Sequence, residues 1–166
     1  MKEINGEHPL GDAGQIVLFA LFLIVWILDS FILRHSTFLA DLIPLFIRLI
    51  FLVASLATAA YLFKSGHVVV SGEKRPTSVV SSGAFRYVRH PLYLGSILIY
   101  FGMTVSTASL FCLALLMVIS LFYNYIAGYE EKLLEVKFGQ EYIAYQKITG
   151  KWMPRFNKTV GQVNAE

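Results

Sequence analysis

Arg89-His90-Pro91-Leu92-Tyr93-Leu94-Gly95 sets two ionisable side chains against the start of a long apolar run. Pro91 suits the first turn of a helix, where its missing N–H has no partner to lose. From Leu92 to Ala127 there is no charged residue. At 1.5 Å per residue that run would make a helix of about 54 Å, against about 30 Å of bilayer hydrocarbon. One crossing cannot hold it. Gly102, Thr104, Ser106, Thr107 and Ser109 cluster near its middle. The sequence therefore predicts a turn there and a helical hairpin, with spans over about 91–105 and 108–127. A hairpin returns the chain to the face it left. Arg89-His90 at its entrance and Glu130-Glu131 at its exit are thus expected to be neighbours in space.

Composition agrees with a membrane setting. The 166 residues are 56% hydrophobic and 15% charged, with a mean hydropathy of +0.61. Soluble domains carry about 25% charged residues. The single cysteine, Cys112, lies in an apolar run, which excludes a disulfide framework and a thiol–metal set. No metal ligand set, nucleic-acid partner or obligate protein partner is inferred. Two more spans precede the hairpin: Gln15 to Leu33, interrupted by Asp29, and about Leu42 to Phe63, with Pro44 in its first turn and Arg48 inside it. The first is too long for a signal-peptide core and lacks a small-residue cleavage site, so it is read as retained. Ala54/Thr58 and Ser55/Ala59, small residues four apart, would let another helix approach closely. The fold class expected is all-α: a polytopic membrane protein of four transmembrane helices plus C-terminal cytoplasmic or interfacial helices. It reads as one membrane domain, with a two-helix hairpin over 1–63, a polar linker over 64–90, a second half over 91–156 and a tail over 157–166.

In the linker, Val68-Val69-Val70 and Val79-Val80 are β-branched runs that could pair across the turn-forming 71–77 stretch. Beyond the hairpin, Leu134, Phe138, Tyr142 and Tyr145 recur at helical spacing. Gly139 is expected to divide the 129–149 segment into two short helices. With one apolar face and Gly128 and Gly139 as hinges, this segment reads as a lid.

Lys and Arg counts set orientation. Residues 64–90 carry Lys64, Lys74, Arg75, Arg86 and Arg89, and the C-terminal segment carries Lys132, Lys137, Lys147, Lys151, Arg155 and Lys158. With Lys2 these outnumber the single Arg34 of the 34–41 loop, and the 103–108 turn has none. Both termini are expected on the cytoplasmic side. Asp29 and Arg48 lie at similar depth near the other face, where a lone central charge costs about 2.5–3.5 kcal/mol on the insertion scale. They read as a paired charge or a snorkelling arginine, with substrate contact as the alternative.

Arg89 and His90 would bind an anionic group and Glu130 or Glu131 a cationic one, so a zwitterionic head group would use both. Tyr87, Tyr93, Tyr129, Tyr142 and Tyr145 could wall a flat base or a cation, or belong to an interfacial aromatic belt.

Arg89–Gly95, the apolar hairpin, Glu130-Glu131, then Leu134, Phe138-Gly139, Tyr142, Tyr145 and Pro154 resemble the isoprenylcysteine carboxyl methyltransferase family and its phospholipid methyltransferase relatives. The lead-in Ser82-Gly83-Ala84-Phe85-Arg86-Tyr87-Val88 also looks like that family. The resemblance covers about residues 77–156 and makes 91–156 the cofactor-binding half. It implies S-adenosylmethionine as methyl donor, S-adenosylhomocysteine as product, and a lipophilic small-molecule or lipid-linked acceptor drawn from the membrane. His90, Tyr93 and Gly95 match the first cofactor motif, and Glu130 and Glu131 the second. Within these motifs a glutamate is expected to take the donor's ammonium, and Arg89 or His90 its carboxylate. Gly95 would permit close approach, and Tyr142 or Tyr145 would line the adenine. A carboxylate acceptor would be held by Arg86 or Arg155, whereas a thiol, amine or hydroxyl acceptor would need His90 as base. The absence of a Gly-rich turn after a strand excludes a Rossmann-type site. Two other classes share some of these features: a nicotinamide-dependent membrane sterol or enone reductase, and a non-catalytic membrane scaffold.

Overall fold

A computed structural model of the chain describes residues 11–72 and 78–155. The described residues form five helices joined by short turns, with no strand beyond one bridge, Val88 to Gly150. Helix α1 spans Gly11–Ile27 and runs on through a wide π-helical turn, Leu28–Leu33. Helix α2 is Leu45–Gly72, α3 is Pro91–Thr107, α4 is Leu110–Phe138 and α5 is Gln140–Ile148. Among the described residues, Ala13–Leu33, Leu45–Gly66 and Leu110–Phe138 are long and apolar enough to cross a membrane. The apolar α3 is shorter, at 17 residues.

Close backbone approach holds α2 to α3. Lipid tails are as apolar as leucine, so helices in a bilayer associate through packing at small residues. A Cβ on Gly102 would sit 2.9 Å from the Cβ of Ser55, one on Gly95 3.1 Å from the Phe63 ring, and one on Gly66 2.9 Å from Leu92. Ser55 and Ala59 are buried, as their spacing predicted, whereas Ala54 and Thr58 face outward. The opposite side of α3 meets α1 and α4 around Phe22, Tyr100, Cys112, Leu116, Ile119 and Tyr123. The Trp26 indole N–H donates to the Met103 carbonyl at 3.1 Å.

The hairpin turn falls where the polar cluster predicted it. Ala108 takes a left-handed conformation, φ 51°, and its N–H donates to the Val105 carbonyl at 3.2 Å. Ser109 then caps α4 by accepting from the Cys112 N–H at 3.1 Å. At this end Asp29 and Arg48 do not pair with each other. The Asp29 carboxylate accepts from the Ser36 N–H at 3.0 Å and from the hydroxyls of Ser36 and Ser109 at 2.5 Å each. Arg48 instead donates to the carbonyls of Ile43 and Ser106, at 3.1 and 2.8 Å. Of the two carbonyls, Ser106 lies in the last turn of α3, where the helix end carries partial negative charge, and Ile43 lies just before α2.

Three expectations are corrected. The polar linker does not begin at 64: α2 continues to Gly72, so Val68–Val70 are helical and form no strand with Val79-Val80. No proline follows Pro44 until Pro76, and a helix supplies its own backbone partners while a lone strand cannot. The Val79 N–H donates to the Glu141 carboxylate at 2.8 Å. Residues 73–77 of the expected turn lie outside the described residues, as does the 157–166 tail. The segment after the hairpin is not two short helices, because α4 runs unbroken through Gly128 to Phe138. A mid-helix glycine costs only about 1 kcal/mol against alanine, too little to break a helix anchored on both sides. Gly139 does break it, with φ +56°.

Candidate active site

The hairpin brings the two ionisable clusters together at its open end. The last apolar stretch of α4 ends at Ala127, and Glu130 and Glu131 follow in its polar final turns, clear of the span. His90 stands at the N-cap of α3, just before Pro91. The Arg89 Nε–H donates to Glu131 Oε1 at 2.9 Å, and His90 Nε2 lies 3.1 Å from the same oxygen. His90 Nδ1 lies 3.8 Å from Glu130 Oε2. The Tyr93 hydroxyl donates to Glu130 Oε1 at 2.5 Å, and its ring stacks on His90 with centroids 5.8 Å apart and planes 7° from parallel. Tyr93 follows His90 by three residues on the first turn of α3, which is why one turn of helix presents both to the same partner helix.

Burial makes this cluster electrostatically tight. The side chains of His90, Arg89 and Glu131 are 7%, 10% and 13% exposed. Burial alone would push the Glu131 carboxyl up, but the hydrogen bonds from His90 and Arg89 and the Arg89 charge outweigh it and hold it at about 2. Burial pushes His90 down from the ordinary imidazole range, against the opposing pull of Glu131. The imidazole is therefore neutral near pH 7 and sits between two carboxylates.

Helix α5 folds back over this end. Beyond Glu131, Arg89 donates to the carbonyls of Gln146 and Thr149, at 3.2 and 2.6 Å. Those carbonyls close α5, so one guanidinium ties the end of α5 to α4 and to the start of α3. Gln146 donates to Glu135 at 2.8 Å. Tyr142 and Tyr145 are buried with ring centroids 5.9 Å apart, and the Tyr145 hydroxyl donates to the Phe85 carbonyl at 2.6 Å. Burial pushes the Tyr145 phenol up to about 12 and Tyr142 upward as well, so both stay protonated.

Of the residues singled out in the sequence, His90, Arg89, Tyr93, Glu130 and Glu131 converge. Tyr142 and Tyr145 form the adjoining wall. Gly95 lies one turn deeper and accommodates Phe63 of α2. Arg86, in the short 3-10 turn Gly83–Arg86, is exposed. Arg155 is exposed and donates to the Lys147 carbonyl at 2.8 Å. Residues 149–152, a strap after α5, were not singled out in the sequence, yet they belong to the site. The Arg89 N–H donates to the Gly150 carbonyl at 2.9 Å. Lys151 Nζ lies 4.0 Å from Glu131 and donates to the Asn124 carbonyl at 3.2 Å. The Trp152 indole donates to the Asn124 side chain at 3.1 Å, and its ring lies 5.8 Å from His90. Asn124 was legible in principle, since it is the one amide in an otherwise apolar run. Among the described residues no group of three or more His, Cys, Asp or Glu side chains could hold a metal ion.

The family comparison bears on this same region. The sequence model of the phospholipid methyltransferases matches residues 42–141, from the start of α2 into α5. This chain belongs to the phospholipid methyltransferase family. The family implies membrane methyltransferase activity, and the matched segment contains Arg89, His90, Tyr93, Glu130 and Glu131. The chain is also similar to the cobalt–zinc–cadmium resistance protein CzcN of Cupriavidus metallidurans, with 30% identity over 171 aligned residues covering 97% of this chain and 77% of that protein.

Proposed function

We propose that the protein transfers a methyl group from S-adenosylmethionine to a lipophilic acceptor at the cytoplasmic face of a prokaryotic membrane. The observation that carries this reading is the convergence of Glu130, Glu131, Arg89, His90 and Tyr93 at the open end of a membrane hairpin, in a chain of a membrane methyltransferase family.

The donor set fits such a cofactor chemically. Its amino-acid end is zwitterionic and its base is flat. Glu130, 3.8 Å from His90 and beside Tyr93, is positioned for an ammonium group. Glu131 is engaged by Arg89 and His90 and serves as their anchor, with a share in binding positive charge. His90, or backbone N–H groups near Arg89, would meet the carboxylate. Tyr142, Tyr145 and Trp152 are the aromatic walls available to the base. When bound, the donor supplies a methyl group already activated as a sulfonium. The protein's task is then to align, hold and keep water out. Stacked Tyr93 and His90 fix the floor, while α5 and the 149–152 strap close the top. Neutral His90 can accept a proton from an amine, hydroxyl or thiol acceptor. A carboxylate acceptor needs no base and would be held by Arg86 or Arg155.

Four spans with both termini cytoplasmic place this end on the Lys- and Arg-rich side. Labelling of single cysteines at Ser81 and Ser106 should come from opposite faces. The activity test is calorimetric titration of the purified protein with S-adenosylhomocysteine and with NADPH, followed by radiolabelled methyl transfer to phospholipids, prenylcysteine analogues and small thiols. Binding of the first ligand alone is expected. Binding of NADPH alone would move the protein to the reductase class, and binding of neither would leave a scaffold.

A further inference from the structure

The basic groups at the open end of the hairpin differ in how far their hydrogen-bonding capacity is spent. Arg89 is a tie between elements: its Nε–H donates to Glu131 and its Nη1 to the carbonyls of Gln146 and Thr149, with the side chain 10% exposed. His90 is neutral near pH 7, and its ring nitrogens lie 3.1 Å from Glu131 and 3.8 Å from Glu130. A neutral imidazole has one N–H, and a carboxylate already stands against each nitrogen. Arg86 and Arg155 are exposed, outside the converging group. Lys151 differs from all of these. A lysine Nζ carries three N–H donors, and this one spends one on the Asn124 carbonyl at 3.2 Å. It stands 4.0 Å from Glu131 Oε2, close enough for an ion pair and too far for a hydrogen bond. The side chain is 22% exposed, so its other donors are open to a ligand.

The chain is shaped to put it there. The strap is fastened on both sides of Lys151. The Gly150 carbonyl accepts from the Arg89 N–H at 2.9 Å, and the Trp152 indole donates to the Asn124 side chain at 3.1 Å. A Cβ on Gly150 would overlap the Met153 carbonyl, so the turn that presents Lys151 requires glycine. Between these fixed points the Lys151 side chain crosses α4 at Gly128, where a Cβ would stand 3.6 Å from Nζ. That is ordinary contact, and any longer side chain would push Nζ away. Gly128 lowers the helix propensity of α4, and in return it clears the path to Glu131. The Trp152 ring lies 5.8 Å from Lys151 Nζ and 5.8 Å from the His90 ring, so it walls the same space.

An amino-acid end carries its ammonium and its carboxylate on one carbon, so the groups that hold them must adjoin. Glu130 offers the negative partner, and Lys151, beside the next residue Glu131, offers the positive one. We propose that Lys151 binds the carboxylate of the methyl donor, in place of His90 or backbone N–H groups. The inference deepens the methyl-transfer reading and rests on it. A lysine suits the task, because its flexible stem and rotatable donors can follow a ligand that a fixed guanidinium cannot. Glu131 keeps Arg89 and His90 when Lys151 turns to the ligand, so no buried charge is left without a partner. Lys151 lies beyond the segment matched by the family model, residues 42–141. The carboxylate contact is thus supplied by the strap, and the ammonium contact by α4.

The test is calorimetric titration of the full-length protein in detergent micelles with two ligands: S-adenosylhomocysteine, and its decarboxylated analogue, which keeps the adenosine, the sulfur and the ammonium. Lys151→Met keeps the stem and removes the charge, Lys151→Arg keeps the charge, and Lys147→Met removes an exposed lysine of α5 as a control. Lys151→Met should weaken S-adenosylhomocysteine tenfold or more while holding the analogue within about twofold of wild type, which also shows that the variant is folded. Lys151→Arg should recover most of the loss, and Lys147→Met should bind both ligands as wild type does. Equal weakening of both ligands in Lys151→Met means that Lys151 only ties the strap to α4, and overturns the proposal. Unchanged affinity for S-adenosylhomocysteine means that another group holds the carboxylate, and also overturns it. Both of those results leave the methyl-transfer reading standing. Failure of the wild type to bind either ligand removes that reading and this inference with it.

Discussion

Replacing Glu131 by glutamine tests whether the Arg89–Glu131–His90 cluster holds the cytoplasmic end together. The substitution keeps the shape and removes one charge. Glu131 Oε1 is 2.9 Å from Arg89 Nε and 3.1 Å from His90 Nε2, and all three side chains are at most 13% exposed. Breaking a fully buried pair costs about 3–5 kcal/mol, whereas an exposed pair is worth about 0–1 kcal/mol. Here Arg89 retains the carbonyls of Gln146 and Thr149, and a glutamine oxygen can still accept one bond. The expected loss is therefore about 2–3 kcal/mol. That corresponds to about 30- to 150-fold in the equilibrium between docked and undocked α5. The assay is denaturant unfolding in detergent micelles, combined with hydrogen exchange over residues 140–152. A double-mutant cycle with Arg89→Gln isolates the pair, with a coupling of about 2 kcal/mol expected. Exchange over α5 should quicken while the α2–α3 interface stays protected. Coupling below about 0.5 kcal/mol, or exchange unchanged over α5, would refute the view that this ion pair docks the C-terminal helix.

Other consequences can be checked separately. Because His90 is lowered and Glu131 is held at about 2, the unfolded chain binds more protons at both positions as pH falls. The stability contributed by His90 is then complete above about pH 6.5 and is lost as pH falls through its folded value. The Glu131 contribution is complete above 4.5 and is lost towards about 2. Thermal midpoints should accordingly be flat from pH 8 to 6.5 and fall below, and His90→Gln should remove the upper slope while keeping the lower one. Gly102→Val would drive a side chain into Ser55, where a Cβ already stands 2.9 Å away. It should destabilise the α2–α3 pair by about 1–3 kcal/mol, measured by unfolding in micelles, whereas Ala54→Val on the outward face should change little. Asp29→Asn replaces one accepting oxygen by a donor facing two hydroxyls and should cost about 1–3 kcal/mol, with S-adenosylhomocysteine affinity unchanged because the network lies at the opposite end of the hairpin.

How much of this was legible in the sequence varies by residue. The hairpin was legible because a length argument suffices: 92–127 is too long for one crossing, and Ser106 to Ser109 mark the turn. The meeting of Arg89-His90 with Glu130-Glu131 followed from that geometry alone. The end of α2 was not legible, since Lys64, Gly66 and the β-branched Val68–Val70 argue locally against a helix, yet α2 runs on to Gly72. Gly128 looked like a hinge for the same reason, yet α4 passes through it and only Gly139 takes a positive φ.

The sequence by itself determined the membrane class, the hairpin, the polar end of the site and the small-residue face of α2, because each depends on local period, length or charge sign. The tertiary structure decided which partner each charged group took. Asp29 chose Ser36 and Ser109, Arg48 chose the carbonyls of Ile43 and Ser106, and Arg89 reached Gln146 and Thr149 as well as Glu131. It also brought Asn124, Lys151 and Trp152 to His90 and Glu131. Those pairings join residues up to 80 positions apart. No local pattern specifies them, because a buried charge takes whichever complementary group packing brings within hydrogen-bonding distance.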